Sequence, residues 1–565
     1  MDSILVSQQW WKQRLLDGPW PAFERDVARL LGHNGFQDVR LVGGCGDQGA
    51  DIIAVNSLGL WILQCKHTTT SAPSIQALDE VVNACEFYKP DNLCVVVSRP
   101  PNETFFRKRD EYSRGGTRIR IWGPTELLKM VDQASQFHIG RIIPYPYQET
   151  AIEAILSGIR ETKRSQVIMA TGLGKTVVMA EVVARLYAEQ LLPNARVLVL
   201  AHTKPLVNQL HSSFWRQLPL NIPTHQMAEG ERPAFWEGVT FATVQSINSS
   251  INHIPSPDLC IIDEAHHLGA DTFQSVIKKI EPLMILGATA TPWRGDGFAI
   301  DSILGPPCVK MSVSDGLAKG YLSEVDYRLL ADNIDWNLVQ ELSKNKYSVM
   351  QLNRRLIIPT RDDKAAQIIA DIFNRENRYS GIVFSPSVAH AREFTGFLRG
   401  HGLSCELITA NLGAREVDLK LARFRHGEFN IAVTVDLFNE GIDVPDVDLV
   451  VFMRATHSRR IFVQQLGRGL RVSPRKKYVV VLDFVSDLKR MAQVLDLDQS
   501  VRSLEVEKVG LGRSLVAFSD ESAGTFLKEW MLDQTDLSDK RLSAHELSSM
   551  DFPEDSTKGV DPNEP

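Results

Sequence analysis

Nowhere does this sequence carry the run of about 20 apolar residues needed to cross a bilayer. Its start, MDSILVSQQWWKQR, lacks the charged-then-apolar layout of a secretory leader. Both absences argue against a membrane association and point to the cytoplasm. Cysteine is scarce. The seven residues, Cys45, Cys65, Cys85, Cys94, Cys260, Cys308 and Cys405, form no CxxC pair, and no histidine cluster has ligand spacing, so neither a disulfide scaffold nor a zinc site is expected. Positive charge is not in excess either: the net charge is −7, so contact with nucleic acid must rest on local basic patches, which argues against a passive coating protein. No internal repeat or long low-complexity linker interrupts the chain. What is present is 565 residues of 44% hydrophobic content, enough for about four globular units with large cores.

The order of apolar runs predicts an α/β protein. Residues 1–138 read as a first α/β unit: helix PAFERDVARLLG, two strands in IIAV and LWIL, a helix near IQALDEVVNACEFY, strand NLCVVVS, strand RIRIW and helix TELLKMV. Residues 139–325 alternate strands (VIMA, VLVLAH, VTFATV, LCIID, MILGAT) with helices, the pattern of a parallel sheet covered on both faces. Residues 326–360 are polar and mixed, as in a connector or small helical insertion. Residues 361–490 repeat the alternation with GIVFS, CELIT, IAVTV, LVVFM and YVVVLDF, and residues 491–565 form an extension with a disordered acidic tail from about Ser548.

Polar residues stand out in GADIIAVNSLGLWILQCKH. IIAV and LWIL are separated by Asn56, Ser57, Leu58 and Gly59, the signature of a hairpin with a four-residue loop. Pairing Val55 with Leu60 sets Asp51 opposite Gln64. Because side chains alternate faces, Gln64 and Lys66 then share a face with Asp51, whereas Leu63 and Cys65 point the other way. Three polar groups converge at the open end.

VIMATGLGKTVVMAE is a strand, a glycine-bearing turn and a helix. Such a turn cradles phosphates through backbone amides, here around Thr171, Gly172 and Gly174, with Lys175 reaching the β and γ phosphates of ATP and Thr176 holding Mg2+. Met169 takes the place of the first glycine of the strict pattern. LCIIDEAHH puts Asp263 and Glu264 at the end of a second buried strand. An aspartate there can hold Mg2+ through water, and the adjacent glutamate can activate the attacking water.

From these motifs onward, roughly residues 144 to 490, the chain resembles superfamily 2 helicases and translocases of the DEAH-box type, including the motor subunits of type I and type III restriction enzymes. The resemblance implies two RecA-like domains and adds roles. Gln148 of YPYQ reads adenine, with Tyr145 where an arginine is frequent. His266 belongs to the nucleotide-side set. Thr203 of AHTKPLVNQ and Thr243 of TVQSI grip nucleic-acid backbone, and Thr289 and Thr291 of GATATP couple hydrolysis to motion. Gly441 and Asp443 of TVDLFNEGIDVPDVD link both sites, and QQLGRGLR supplies Gln464, Arg468 and Arg471. The two arginines would face the γ phosphate from the third unit and stabilise its developing charge. The neighbouring Arg459, Arg460, Arg475, Lys476 and Lys477 suit phosphate contacts on DNA.

The pattern GGCGDQGADIIA followed by ILQCKH, with helix FERDVARLL before it, resembles the Mrr-type branch of the PD-(D/E)xK restriction endonucleases over about residues 20–130. This resemblance implies a restriction-endonuclease-like fold in which Asp51 and Gln64 bind Mg2+, Lys66 orients or activates the water and steadies the scissile phosphate, and Glu24 supports the metal from its helix. Gln64 replaces an acid, and an amide oxygen can ligate Mg2+ without adding charge. His67, Trp10, Trp11 and Trp20 read as structural residues. Together the two resemblances imply an ATP-driven motor on double-stranded DNA joined to an Mg2+-dependent endonuclease, as in bacterial restriction or anti-phage systems that include further subunits. The alternative is a DNA-repair or remodelling helicase with a catalytically silent DNA-binding N-terminal domain. An RNA helicase is a third reading.

Overall fold

The computed structural model of the protein describes residues 11, 14–16, 20–42, 49–228, 231–290, 300–329, 362–409, 411–412, 414–425, 427–435, 447–453, 472, 475–476, 478–484 and 516–518. The chain divides into two compact units, one built on Met1–Val167, Gly174–Thr289 and Ala299–Lys310, the other on Ile168–Leu173, Ala290–Phe298 and Met311–Pro565. Three sheets carry the α/β architecture.

The first sheet runs in chain order: β1 (Gln37–Leu41), β2 (Ile52–Asn56), β3 (Gly59–Lys66), β4 (Asn92–Val97) and β5 (Ile119–Trp122). β1, β2 and β3 pair antiparallel, whereas β3, β4 and β5 are parallel. Helices α1 (Trp20–His33), α2 (Gln76–Tyr88), α3 (Glu103–Arg114) and α4 (Pro124–Gln133) complete the layer structure. Period-two alternation sorts β3. Trp61, Leu63 and Cys65 pack with Phe23, Val27 and Leu31 of α1, while Ile62 joins Ala77, Leu78 and Val81 of α2 on the other face. β1 carries no alternating apolar signal, with an exposure pattern from half-buried to open, and the sequence gives no warning of it.

The α1 side of this core is not closed by its own domain. Trp215 and Leu220, from the next domain, belong to the same buried cluster. Trp11 donates its indole N–H to Leu220 O at 2.8 Å. Arg29, 1% exposed, donates to Ile222 O at 2.8 Å and Pro219 O at 2.7 Å. Arg14 pairs with Asp26 at 2.5 Å and donates to Thr224 O at 2.8 Å, and Arg25 pairs with Glu231. Burial is the dominant force on these groups: it raises the Asp26 carboxyl despite three arginines and lowers Arg29 to about 9.

The second sheet has the order β12-β6-β11-β10-β7-β9-β8, built from β6 (Arg164–Met169), β7 (Arg196–Ala201), β8 (Thr224–Met227), β9 (Gly238–Thr243), β10 (Leu259–Asp263), β11 (Met284–Thr289) and β12 (Val309–Met311). Its helices include α5 (Pro146–Thr162), α6 (Lys175–Ala188), α7 (Lys204–Gln217), α8 (Val244–Ser249) and α9 (Asp271–Ile280). β9, β10 and β11 are buried at every residue, which is why they read as continuous apolar runs.

The third sheet is parallel, with the order β15-β16-β14-β17-β18-β13-β19. It comprises β13 (Glu324–Leu329), β14 (Gly381–Phe384), β15 (Cys405–Leu407), β16 (Ile431–Thr434), β17 (Leu449–Phe452), β18 (Tyr478–Asp483) and β19 (Val516–Phe518), with α10 (Asp362–Arg375), α11 (Val388–Gly400) and α12 (Ala414–Arg425). β13 runs from Glu324 beside Tyr478 to Leu329 beside Asp483. Residues 326–329 of the expected connector are therefore strand, and β19 draws Val516–Phe518 of the C-terminal extension into the same sheet. The rest of the connector and the acidic tail lie outside the described residues.

Candidate active sites

The hairpin register is Val55 to Leu60 and Ile52 to Leu63, which carries Asp51 to Gln64. The loop is shorter than expected. Asn56 pairs with Gly59, so only Ser57 and Leu58 turn the chain, helped by Gly59 at φ +99° and by Leu58 N donating to Asn56 Oδ1 at 2.8 Å. Asp51 is buried, and its Oδ2 accepts from Cys65 N at 2.6 Å. Gln64 is 2% exposed, and its Oε1 has no hydrogen-bond partner. Lys66 Nζ lies 2.8 Å from Glu80 Oε2 on α2. Gln64 and Lys66 thus occupy the sheet face covered by α2.

Glu24 sits half-buried on α1, which covers the opposite face. It still shares surroundings with the hairpin. Burial, then the charges of Asp51 and Glu24, push the Cys65 thiol far above its usual range, which makes Cys65 inert as a nucleophile. Among the described residues, no three His, Cys, Asp or Glu side chains group as a metal site. Two oxygen donors here could meet a hard cation: the Asp51 carboxylate and the Gln64 amide oxygen, which is buried and has no hydrogen-bond partner.

Glu80 is the residue that sequence reasoning missed. Nothing in its spacing marks it, since it comes from a helix 14 positions after Lys66. The structure brings it close at Gly49: at φ +86°, a Cβ there would stand 1.7 Å from Glu80 O, so the turn into Asp51 is pressed against Glu80. His67 meets Phe23 in a tilted ring contact with centroids 5.2 Å apart, in keeping with a structural role. Trp11 packs, but Trp20 is 56% exposed, unlike the packing expected of it.

At the nucleotide site, the loop between β6 and α6 places Gly172 at φ +94° and Gly174 at φ +80°, with Lys175 opening α6. Thr171 and Thr176 are half-buried in this segment. Gln148 is buried, and its Oε1 accepts from Tyr145 N at 2.9 Å at the start of α5. Its amide nitrogen would be 2.3 Å from a Cβ on Gly174. Gln148 therefore touches the phosphate loop as well as capping a helix.

Asp263 ends β10, and Glu264 follows at φ +52°, a left-handed conformation that costs about 1 kcal/mol or more in a side-chain-bearing residue and holds the carboxylate off the strand line. Burial, then Glu264, push the Asp263 carboxyl up, while Lys175 pulls it back. Burial opposes ionisation of Glu264 too, but Lys175 and His266 outweigh it and hold Glu264 down. His266 Nδ1 is 3.2 Å from Glu264 Oε2 and 3.1 Å from Thr289 Oγ1. His266 thus bridges the candidate water-activating carboxylate to β11.

Thr203 and Thr243 both stand just before helices, α7 and α8, and Thr243 caps α8 by accepting from Ser246 N at 3.2 Å. Lys476 donates to Val447 O at 2.9 Å and Arg475 stacks 5.0 Å from the Tyr379 ring, so both have protein contacts where phosphate contacts were expected. Thr291, Gly441, Asp443, Arg459, Arg460, Gln464, Arg468, Arg471 and Lys477 lie outside the described residues.

A mixed sheet with a polar hairpin is followed by two parallel sheets, and a glycine-bearing loop between β6 and α6 joins strand to helix. Comparison with known proteins agrees. Residues 15–131 match the restriction endonuclease family model, 141–294 the type III restriction enzyme res subunit model, and 363–473 the helicase conserved C-terminal domain model. The chain thus carries, in order, regions that match a restriction endonuclease domain, a type III restriction res-subunit domain and a helicase C-terminal domain. A Saccharomyces cerevisiae protein named "Putative ATP-dependent helicase IRC3" is 24% identical over 352 residues, 60% of this chain and 51% of that protein. The Escherichia coli type I restriction enzyme EcoAI endonuclease subunit is 24% identical over 381 residues, 60% of this chain and 46% of that protein. The chain thus spans about half the length of these curated relatives. A solved structure, the ATP-dependent type ISP restriction-modification enzyme LlaBIII bound to DNA, shares the fold with a TM-score of 0.51 and 17% identity, covering 93% of this chain and 42% of that one. No helix among the described residues is long and apolar enough to cross a membrane.

Proposed function

We propose that the protein hydrolyses ATP to move along double-stranded DNA and cuts that DNA with a divalent-metal-dependent endonuclease, as part of bacterial restriction or anti-phage defence acting with further subunits. The observation that carries the nuclease half is the orphaned, buried Gln64 Oε1 on the face it shares with Asp51 and Lys66. An unsatisfied polar atom in that position costs about 1–3 kcal/mol, a cost that a ligand there removes.

Asp51 and Gln64 would hold Mg2+ at the hairpin, and Thr176 and Asp263 would hold it beside ATP. A divalent cation bound at either place polarises a phosphoryl oxygen and lowers the pKa of the attacking water. Lys66 orients that water and balances charge on the scissile phosphate, and Glu24 supports the arrangement from α1. In the motor, Lys175 and the amides of Thr171, Gly172 and Gly174 bind the phosphates, Gln148 reads the base, and Glu264 accepts the proton of the water. His266 passes the state of Glu264 to Thr289. Gly441, Asp443, Gln464, Arg468 and Arg471 complete the motor from its second domain. We place the nuclease at residues 1–138, the first motor domain from 139 and the second from β13 onward.

Plasmid incubated with Mg2+ or Mn2+, with and without ATP, tests this reading. Wild type nicks or cuts. Lys66→Ala loses cleavage and keeps ATPase, and Lys175→Ala loses ATPase. Cleavage that persists in Lys66→Ala refutes the nuclease assignment, and absence of any cleavage by wild type favours a helicase with a silent DNA-binding domain.

A further inference from the structure

Gln64 leaves the hairpin face one acid short: on that face Asp51 is the single carboxylate beside a neutral amide and a positively charged Lys66, whereas Glu24 comes from α1 on the opposite face. Mg2+ sites take one or two carboxylates, and a second one here would offset the Lys66 charge. We infer that Glu80 supplies it, as an acidic ligand of the nuclease's divalent cation contributed by helix α2 and not by the hairpin. This rests on the nuclease reading above and deepens it.

Three independent features converge on Glu80. Its Oε2 is 2.8 Å from Lys66 Nζ, so it already occupies the polar end of the hairpin face. The Gly49 turn that leads into Asp51 lies against the backbone of Glu80, so close that any side chain at residue 49 would collide with it, which fixes α2 against the chain two residues before Asp51. Gln64 Oε1, nine-tenths buried and without a partner, lies on this same face and shows that the region holds an unsatisfied hard donor. Stability does not explain the Lys66–Glu80 pair: both side chains are about a third exposed, at 30% and 38%, and ion pairs that water screens contribute little to folding. An acid on the helix, held beside Lys66, reproduces the charge that an acid at position 64 would give.

Mn2+ binding to the full chain without nucleotide, followed by electron paramagnetic resonance, separates this from a purely structural role. Glu80→Gln, an isosteric change at a part-exposed site, is expected to weaken Mn2+ binding at least tenfold with its thermal unfolding unchanged and ATPase intact. Adding Gln64→Glu to that variant is expected to restore binding, because either position then supplies the missing charge. Glu80→Asp provides a second variant, with partial loss. If Glu80→Gln binds Mn2+ like wild type while Asp51→Asn does not, the inference fails and the nuclease reading survives. If Asp51→Asn also leaves Mn2+ binding and plasmid cleavage unchanged, the nuclease reading itself fails.

Discussion

Arg29→Ala is the sharpest test of how the nuclease is mounted on the motor. The wild-type guanidinium is 1% exposed and gives two short hydrogen bonds, to Ile222 O and Pro219 O, in a cluster shared with Asp26. Truncation leaves both carbonyls unsatisfied and removes one of three cations that offset the burial of Asp26. Losing one partner of a buried, hydrogen-bonded charge cluster costs about 3–5 kcal/mol. At roughly 2–4 °C per kcal/mol for a unit of this size, the first thermal transition should fall by roughly 6–20 °C. Burial nevertheless raises Asp26 and lowers Arg29 to about 9, so the charges themselves are held at a cost. Removing the second charge should therefore hurt less than removing the first. The double variant Asp26→Leu/Arg29→Met should be more stable than the sum of its two single variants by about 1–3 kcal/mol. Calorimetry and urea unfolding of the full chain, followed by tryptophan fluorescence, give both numbers. A shift below about 2 °C for Arg29→Ala, or strict additivity in the cycle, refutes the account of a dry, mutually dependent cluster.

Acid should weaken the same region. Burial holds His33 and His225 neutral, at about 3, and His138 at about 4. A base whose folded pKa is lowered takes up protons on unfolding, so stability present at neutral pH is lost as pH falls below about 6.5, by about 1.4 kcal/mol per pH unit for each histidine. Unfolding measured at pH 7.5 and 5.5 should show a loss of roughly 3–4 kcal/mol that shrinks in His225→Gln, and a flat profile refutes it. Gly174→Ala would drive a Cβ into the Gln148 amide from a left-handed backbone and should raise the KM for ATP, which unchanged ATPase kinetics would contradict. His266→Ala breaks the bridge between Glu264 and Thr289 and should cut DNA-stimulated ATPase roughly 10- to 100-fold. Thr289→Val should spare basal hydrolysis while losing the stimulation, and equal effects on both rates would sink the relay.

Strands whose apolar pattern is local were legible from the chain alone. The hairpin face followed from Val55 opposite Leu60, because period-two alternation then places Asp51, Gln64 and Lys66 without further information. Loop length was not legible, since Asn56 and Gly59 look like turn residues and yet pair. Parallel pairing is non-local, which is why β13 reads as the end of one domain while its hydrogen bonds join it to β18, some 150 residues away. Glu80 stayed hidden because a helix residue meets a strand only in three dimensions. Arg14, Asp26 and Arg29 stayed hidden for the opposite reason: charges on a helix face read as solvated until a neighbour covers them.

Trp215 and Leu220 in the first domain's core make the two halves poor cassettes. A recombination event, or an engineer, that splices at residue 138 would separate an indole and a leucine from the hydrophobic interior they complete, and leave Trp11 facing water. Exchange of cutting specificities among such proteins should therefore proceed with the 215–231 segment inherited alongside the nuclease, so that the junction falls inside the motor.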